Sequence, residues 1–225
     1  MTDLPFAIVG FDLDGTLVDS SKDLQAAVNH ALARIGRDPI ADDQITHLIG
    51  GGIRVLLERA LKLTGGPVEE AQFGELHQAL LDHYAAHIAD HTRPYTGCLD
   101  ALDALAARGC KLAVVTNKAE QLALSLLEQL GMRDRFASVI GGDTLGPGRG
   151  KPAPDMIHET IARCGGEERF AMIGDTSYDV RAAKAAGKPC VVLSFGYNDA
   201  PAHTLGAEAV IDHYDELVSA LEALG

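Results

Sequence analysis

No stretch of this 225-residue sequence gathers basic residues into a run, and its 19 lysines and arginines face 32 aspartates and glutamates. The formal charge of -13 excludes the usual route to nucleic acid or to an anionic membrane surface, because both depend on clustered cations. Cysteine is sparse: Cys98, Cys110, Cys164 and Cys190 stand far apart, with no Cys-x-x-Cys pair and no histidine cluster around them. That spacing argues against a zinc site or a redox dithiol and leaves four buried free thiols in a reducing compartment as the expectation. Long apolar runs are missing as well. Nothing reaches membrane-spanning length, and the N-terminus has neither a basic flank nor a long apolar core before Asp12 and Asp14 interrupt it. A cytoplasmic protein is expected. Internal repeats and low-complexity tracts are also lacking.

What remains is an ordinary globular composition, 47% apolar and 23% charged, in a chain long enough to bury a sizeable core. A short apolar run from Phe6 to Phe11 reads as a buried strand, broken by Gly15 and Thr16. Three helical stripes follow: Leu24, Ala27, Val28, Ala31, Leu32 and Ile35; Ile49, Ile53, Leu56, Leu57, Ala60 and Leu61; Phe73, Leu76, Leu80, Tyr84 and Ile88. No strand pattern intervenes between Thr16 and about Pro94. From Leu99 the texture alternates, with strands expected at 111–116, 137–140, 170–173, 190–193 and 209–211 and helices between them. Such alternation predicts a parallel sheet covered on both faces. The fold class is therefore α/β, a Rossmann-like doubly wound parallel sheet with an inserted all-helical cap. Residues 1–17 and 93–225 are assigned to the core and 18–92 to the cap, since about 100 residues separate the first two strands where a simple βαβ unit needs about 30.

Chemistry-bearing residues fall at the carboxyl ends of the expected strands, the edge where open α/β sheets bind ligands. Asp12-Leu13-Asp14-Gly15 sets two carboxylates close together, which suits a cation, a division of labour between nucleophile and acid/base, or an ordinary Asx turn. An EF-hand is excluded, because Gly15 comes too early and a strand precedes it. Thr116-Asn117-Lys118 offers a hydroxyl, an amide and an ammonium to phosphoryl oxygens, or else caps a helix and leaves Lys118 at the surface. Lys151 stands before Pro152 in a stiff segment that could present its ammonium to a pocket of acids, or else is a solvated lysine ahead of a proline-initiated helix. Asp175 and Asp179 are spaced to give a hard cation one direct and one outer carboxylate, although Asp175 or Ser177 could also be a helix cap.

Together Asp12-Leu13-Asp14-Gly15-Thr16, Thr116-Asn117, Lys151-Pro152 and Gly174-Asp175 through Asp179 resemble the four ordered motifs of the haloacid dehalogenase-like hydrolases, and the helical insertion resembles their C1 cap. The resemblance implies a magnesium-dependent phosphatase acting on a small anionic phosphate ester. Asp12 would be the nucleophile and Asp14 the acid and then the base. Thr116 and Lys151 would hold phosphoryl oxygens, with Asn117 contributing its backbone N–H. Mg2+ would be bound by Asp12, the carbonyl of Asp14 and Asp175, with Asp179 behind them. The presence of Asp14 departs from the dehalogenase branch, and Thr16 from the sugar-phosphate mutases. A narrower resemblance, to the phosphoglycolate phosphatase family, is carried by 49–54 running into Glu58-Arg59-Ala60-Leu61, by Arg93-Pro94-Tyr95, by Thr116-Asn117-Lys118 and by Gly196-Tyr197-Asn198. A small substrate bearing both phosphate and carboxylate would suit the N–H groups of Gly51 and Gly52 at a cap helix start together with Arg54 or Lys118, with Gly50 to Gly52 otherwise a plain turn. Gly51, Thr96 and Asp155-Met156 depart from that family's pattern. Pyrophosphate, sugar phosphates or a phosphonate remain alternative substrates, the last requiring a cap lysine for which Lys62 shows no special placement. A phosphoacceptor signalling module is a further alternative. Either a monomer or a homodimer is compatible with the sequence.

Overall fold

The structure, a computed structural model, describes residues 4–166 and 169–225; residues 1–3 of the expected core range lie outside that description. Six parallel strands form one sheet in the order β5-β4-β1-β6-β7-β8. They are β1 (Ile8–Phe11), β4 (Lys111–Val115), β5 (Ser138–Ile140), β6 (Phe170–Gly174), β7 (Cys190–Leu193) and β8 (Ala209–Ile211). The side-chain period of two assigns each strand's residues to opposite faces. Val9 and Phe11 of β1, Val114 of β4 and Ile173 of β6 join the apolar cluster of one face, packed with α4 (Cys98–Ala106), α5 (Glu120–Gln129) and α8 (Leu217–Ala223). Ile8, Ala113, Val115 and Met172 point the other way, onto α6 (Asp155–Arg163) and α7 (Ser177–Ala185). Burial on both faces explains why these strands read as continuous apolar runs rather than alternating ones.

Between β1 and β4 lie α1 (Ser21–Ala33), α2 (Ile53–Leu63) and α3 (Glu70–Ala86), which pack on one another. Their inward residues, including Leu32, Leu57, Leu80 and Tyr84, continue the apolar cluster that covers the α4 side of the sheet. Asp23 of α1 fastens this block to the chain's return path by accepting from the backbone N–H groups of His91 and Thr92 and from the Thr92 hydroxyl.

Some boundaries differ from the sequence expectation. β1 begins at Ile8, not Phe6, because Ile8 pairs with Lys111 and Phe170, the first residues of its two neighbours. Ile49 and Ile88 are buried but lie outside α2 and α3. Positive φ at Gly50 (120°) and Gly52 (87°) prevents the second helix from reaching back to Ile49. A strand pair does interrupt the helical region: β2 (Val18–Asp19) pairs antiparallel with β3 (Arg93–Pro94) where the chain leaves and re-enters the sheet domain. Two residues per strand are too few to produce a period. All four cysteines are free and buried, as expected. No described helix is long and apolar enough to cross a membrane.

Because Leu80 is fully buried where α3 meets the common cluster, Leu80→Ala is expected to lower stability by about 2–5 kcal/mol. Urea unfolding followed by circular dichroism measures this.

Candidate active site

The sheet order reverses at β1, since the chain first builds β4 and β5 on one side and then β6, β7 and β8 on the other. A crevice therefore opens at the carboxyl ends of the central strands. Asp12 follows β1, Thr116 follows β4 and Asp175 follows β6, and the register Phe11–Val114 and Phe11–Ile173 brings these three ends level. Gly15 makes the turn after Asp12 possible. Its φ is +83°, and a Cβ there would stand 2.3 Å from Oδ2 of Asp175.

Carboxylate oxygens of Asp12, Asp175 and Asp179 lie within 4.8 Å of one another, and all three residues are buried. Lys151 inserts its ammonium among them, 2.9 Å from Asp12 Oδ1 and 2.6 Å from Asp179 Oδ1. Burial pushes the Asp12 carboxyl up to about 6, with Lys151 opposing and Asp179 reinforcing the rise. Asp175 is likewise pushed up, by burial first and then by Asp179 and Asp12. Burial works against the charge of Lys151, but Asp12 and Asp179 outweigh it and hold the ammonium above its ordinary range. When all four groups are ionised the centre carries an excess of two negative charges. That excess and the all-oxygen donor set fit a hard divalent cation.

The surrounding chain holds these acids by hydrogen bonds. Asp175 accepts from the Thr16 hydroxyl and from the Tyr197 N–H, while its own carbonyl accepts from Asn198. Asp179 Oδ2 accepts from the N–H groups of Asp175 and Thr176 and from the Thr176 hydroxyl. The cap of α7 is thus Thr176, with Asp179 completing a capping box. Neither Asp175 nor Ser177, the residues considered from the sequence, is the cap. Both are engaged elsewhere, Ser177 through its backbone N–H to Asp199.

Asp14 has different surroundings from Asp12. Its two oxygens accept from Lys118 Nζ at 2.9 and 2.7 Å, and Oδ1 also accepts from the Ser20 hydroxyl at 2.6 Å. The third acceptor for the Lys118 ammonium is the Tyr84 hydroxyl on α3, at 2.7 Å. Lys118 is therefore no surface charge. The Thr116 hydroxyl accepts from the Lys118 backbone N–H, so its proton is available to an incoming anion.

A cavity separates this centre from the helical block. Asp12, Asp14, Thr116, Asn117 and Lys118 line its polar side, and Leu24, Ile49, Ile53, Leu56 and Tyr84 its apolar side. Gly50 and Gly52 face it, but Gly51 does not; a Cβ on Gly51 would meet Val55 and the Tyr178 hydroxyl instead. The Asn117 side-chain amide donates to the carbonyls of Gly50 and Lys151. Arg54 is outside the cavity. Being next to cavity-lining Ile53 on α2, it projects about 100° further round the helix, pairs with Glu58 and Glu70, and lies over the Phe73 ring. The arginine that does bridge the two parts is Arg59, which donates to the carbonyls of Leu48 and Ile49 and to the Tyr178 hydroxyl. Arg59 and the Gly196-Tyr197-Asn198 segment had been noted only as part of the family likeness. Ser20 and Tyr84 carried no signal beyond helix start and helix stripe.

Two carboxylates leaving one strand with unlike partners, beside a hydroxyl and a buried ammonium, are equipped for hydrolysis through a carboxylate nucleophile. The chain belongs to the haloacid dehalogenase-like hydrolases, whose family model matches residues 9–193. A phosphoglycolate phosphatase of Agrobacterium fabrum is 42% identical over 218 residues, 96% of this chain and 92% of that protein. One from Caulobacter vibrioides is 40% identical over 94% of this chain and 89% of its own length. Among solved structures, a predicted phosphoglycolate phosphatase from Haemophilus somnus has a TM-score of 0.89 at 29% identity, covering 97% of this chain and 98% of that one. CbbY from Rhodobacter sphaeroides, crystallised with phosphate, has a TM-score of 0.78 at 25% identity, covering 96% and 99%.

The outward position of Arg54 has a direct consequence: its exposed ion pairs are each worth less than about 1 kcal/mol, and Arg54→Ala is expected to leave kcat/KM within about twofold of the parent. Gly15→Ala, by contrast, should remove nearly all activity, because the added Cβ displaces Asp175. Steady-state phosphate release from both variants checks the pair.

Proposed function

We propose that this phosphatase hydrolyses 2-phosphoglycolate to glycolate and phosphate through an aspartyl-phosphate. The observation that carries the mechanism is the unequal environment of Asp12 and Asp14. Asp12 sits in the acid cluster against Lys151, whereas Asp14 stands apart from that cluster and opens onto the cavity. A carboxylate oxygen of Asp12 attacks phosphorus as the bond to the ester oxygen breaks, and Asp14 passes its proton to the departing alkoxide. Asp14 then takes a proton from a water that attacks the phosphorus of the intermediate, which frees phosphate and restores Asp12. Lys151, the Thr116 hydroxyl and the Asn117 backbone N–H hold the phosphoryl oxygens.

Magnesium is assigned to Asp12, Asp175 and the Asp14 carbonyl, with Asp179 orienting Lys151 behind them. Once bound, the cation offsets the excess negative charge and polarises the phosphoryl group. The oxygen spacing within the acid trio and the upward pressure on Asp12 and Asp175 support this assignment.

For the carboxylate end of the substrate, the start of α2 is the matching surface. Gly52 and Ile53 face the cavity, and no side chain caps that helix end among the described residues. Its free N–H groups and positive dipole end favour an anion. Residues 18–92 act as a cap that closes over the substrate and limits water. The phosphonate alternative lacks its lysine, since Lys62 is exposed on the last turn of α2 and the lysine lining the cavity among the described residues is Lys118 from the sheet domain. A cytoplasmic location and either a monomer or a homodimer belong to the same reading.

Correctly folded Asp12→Asn is expected to lose more than about 1,000-fold in kcat on both 2-phosphoglycolate and an aryl phosphate, as for removal of a covalent nucleophile. Retained turnover in a phosphate-release assay would contradict the nucleophile. In a rate panel with pyrophosphate, sugar phosphates and phosphonoacetaldehyde, 2-phosphoglycolate is expected to give the highest kcat/KM. Metal binding has its own readout: magnesium at 100 times its Kd should stabilise the folded chain by about 2.7 kcal/mol, seen as a rise in Tm that EDTA reverses. Asp175→Asn should lose that rise.

A further inference from the structure

Tyr84 belongs to the apolar stripe of α3 and is fully buried. Packing alone would be satisfied by phenylalanine, and a buried phenol needs a hydrogen-bond partner. Its partner is Lys118, a residue of the sheet domain, whose three N–H donors are matched by three acceptors: both oxygens of Asp14 and the Tyr84 hydroxyl. The Ser20 hydroxyl, at the start of α1, adds a further contact to Asp14 Oδ1. The plane of the Asp14 carboxylate is thus fixed directly from the loop after β4 and the start of α1, and through Lys118 from the last turn of α3. Ser20 occupies the position from which a serine would ordinarily cap α1, yet its side chain makes no cap bond and turns to Asp14 instead.

We infer that Tyr84 and Lys118 are positioning residues for Asp14, so that the seating of α3 over the sheet sets the orientation of the group that gives its proton to the leaving alcohol. The idea rests on the acid role of Asp14 given above. Tyr84 fixes the ammonium, and the ammonium fixes the carboxylate. Lys118 thereby acts on the reaction through Asp14, and the phosphoryl oxygens are left to Lys151, Thr116 and Asn117. In the step concerned, the bond from Asp12 to phosphorus forms, the bond from phosphorus to the ester oxygen breaks, and the Asp14 proton ends on that oxygen. Misalignment of Asp14 slows the step only where the leaving oxygen needs the proton.

That dependence on the leaving group separates positioning from a structural role. Phosphorylation is read in single turnovers, with enzyme in excess, using an alkyl ester (2-phosphoglycolate) and an ester with a good leaving group (4-nitrophenyl phosphate, by nitrophenolate release). Tyr84→Phe keeps the ring and removes one hydroxyl. Out of the ~100-fold or more that a general acid supplies, its expected loss is about 10-fold on the alkyl ester with KM within about twofold, and less than about twofold on the aryl ester. Lys118→Met should show the same asymmetry more strongly, and thermal unfolding reports whether each variant is folded. Equal losses on both esters, or no loss on either, in Tyr84→Phe would overturn the inference. Asp14→Asn is the reference. If it shows the asymmetry and Tyr84→Phe does not, the positioning role alone fails; if it does not, the acid role fails and the inference with it.

Discussion

A single buried ammonium holds the carboxyl edge of the central sheet together. Lys151, on the loop before α6, pairs with Asp12 after β1 and with Asp179 in the first turn of α7, so three separate segments meet at one nitrogen. Removing one partner from such a buried network leaves an uncompensated charge and costs about 3–5 kcal/mol. The same contacts set the chemistry. Without Lys151, three buried carboxylates would face one another unopposed, and Asp12 and Asp175 are pushed toward their neutral forms even in its presence. A centre in that condition is poised to accept positive charge, and the acid cluster and the lysine form one electrostatic unit suited to a hard divalent cation.

Around that unit the structure keeps its two key acids electrostatically separate. Asp12 shares Lys151 with Asp179; Asp14, two residues on, has Lys118 to itself within the described ion pairs. Each of these two carboxylates has its own ammonium. The second ammonium also reaches the helical block through Tyr84, and Asn117 and Arg59 add hydrogen bonds between the block's Gly50 region and the sheet domain. The candidate site is accordingly a shared boundary, with the sheet domain supplying its acids and ammonium groups and the helical block most of its apolar wall.

Much of this was legible in the residue order. Parallel strands buried on both faces are continuous apolar runs, and the acids that end them mark the carboxyl edge, so β4, β6 and β7 were placed to within a residue and the four motifs were assigned to one crevice. The two-residue strands β2 and β3 could not be read, because a pair so short leaves no period. Arg54 lies outside the cavity because the helix angle turns it toward Glu58 and Glu70, a property of the folded helical block, whereas in the sequence a positive charge near a glycine-rich helix start invites an anion. Tyr84 was invisible as a polar group, since at helical spacing a tyrosine counts as one more core residue.

The sequence by itself determined the strand order's raw material and the chemical identity of the site: which strands end in acids, a hydroxyl or a lysine, and that the insertion is helical. Only the tertiary structure decided which ammonium faces which carboxylate, that Ser20 turns from helix cap to Asp14, and that a tyrosine of the helical block completes the set. Motifs are local in the chain, and spacing reveals them. Pairings such as Asp14 with Lys118 and Lys118 with Tyr84 join residues 104 and 34 positions apart, and they exist only once the sheet and the helical block have packed.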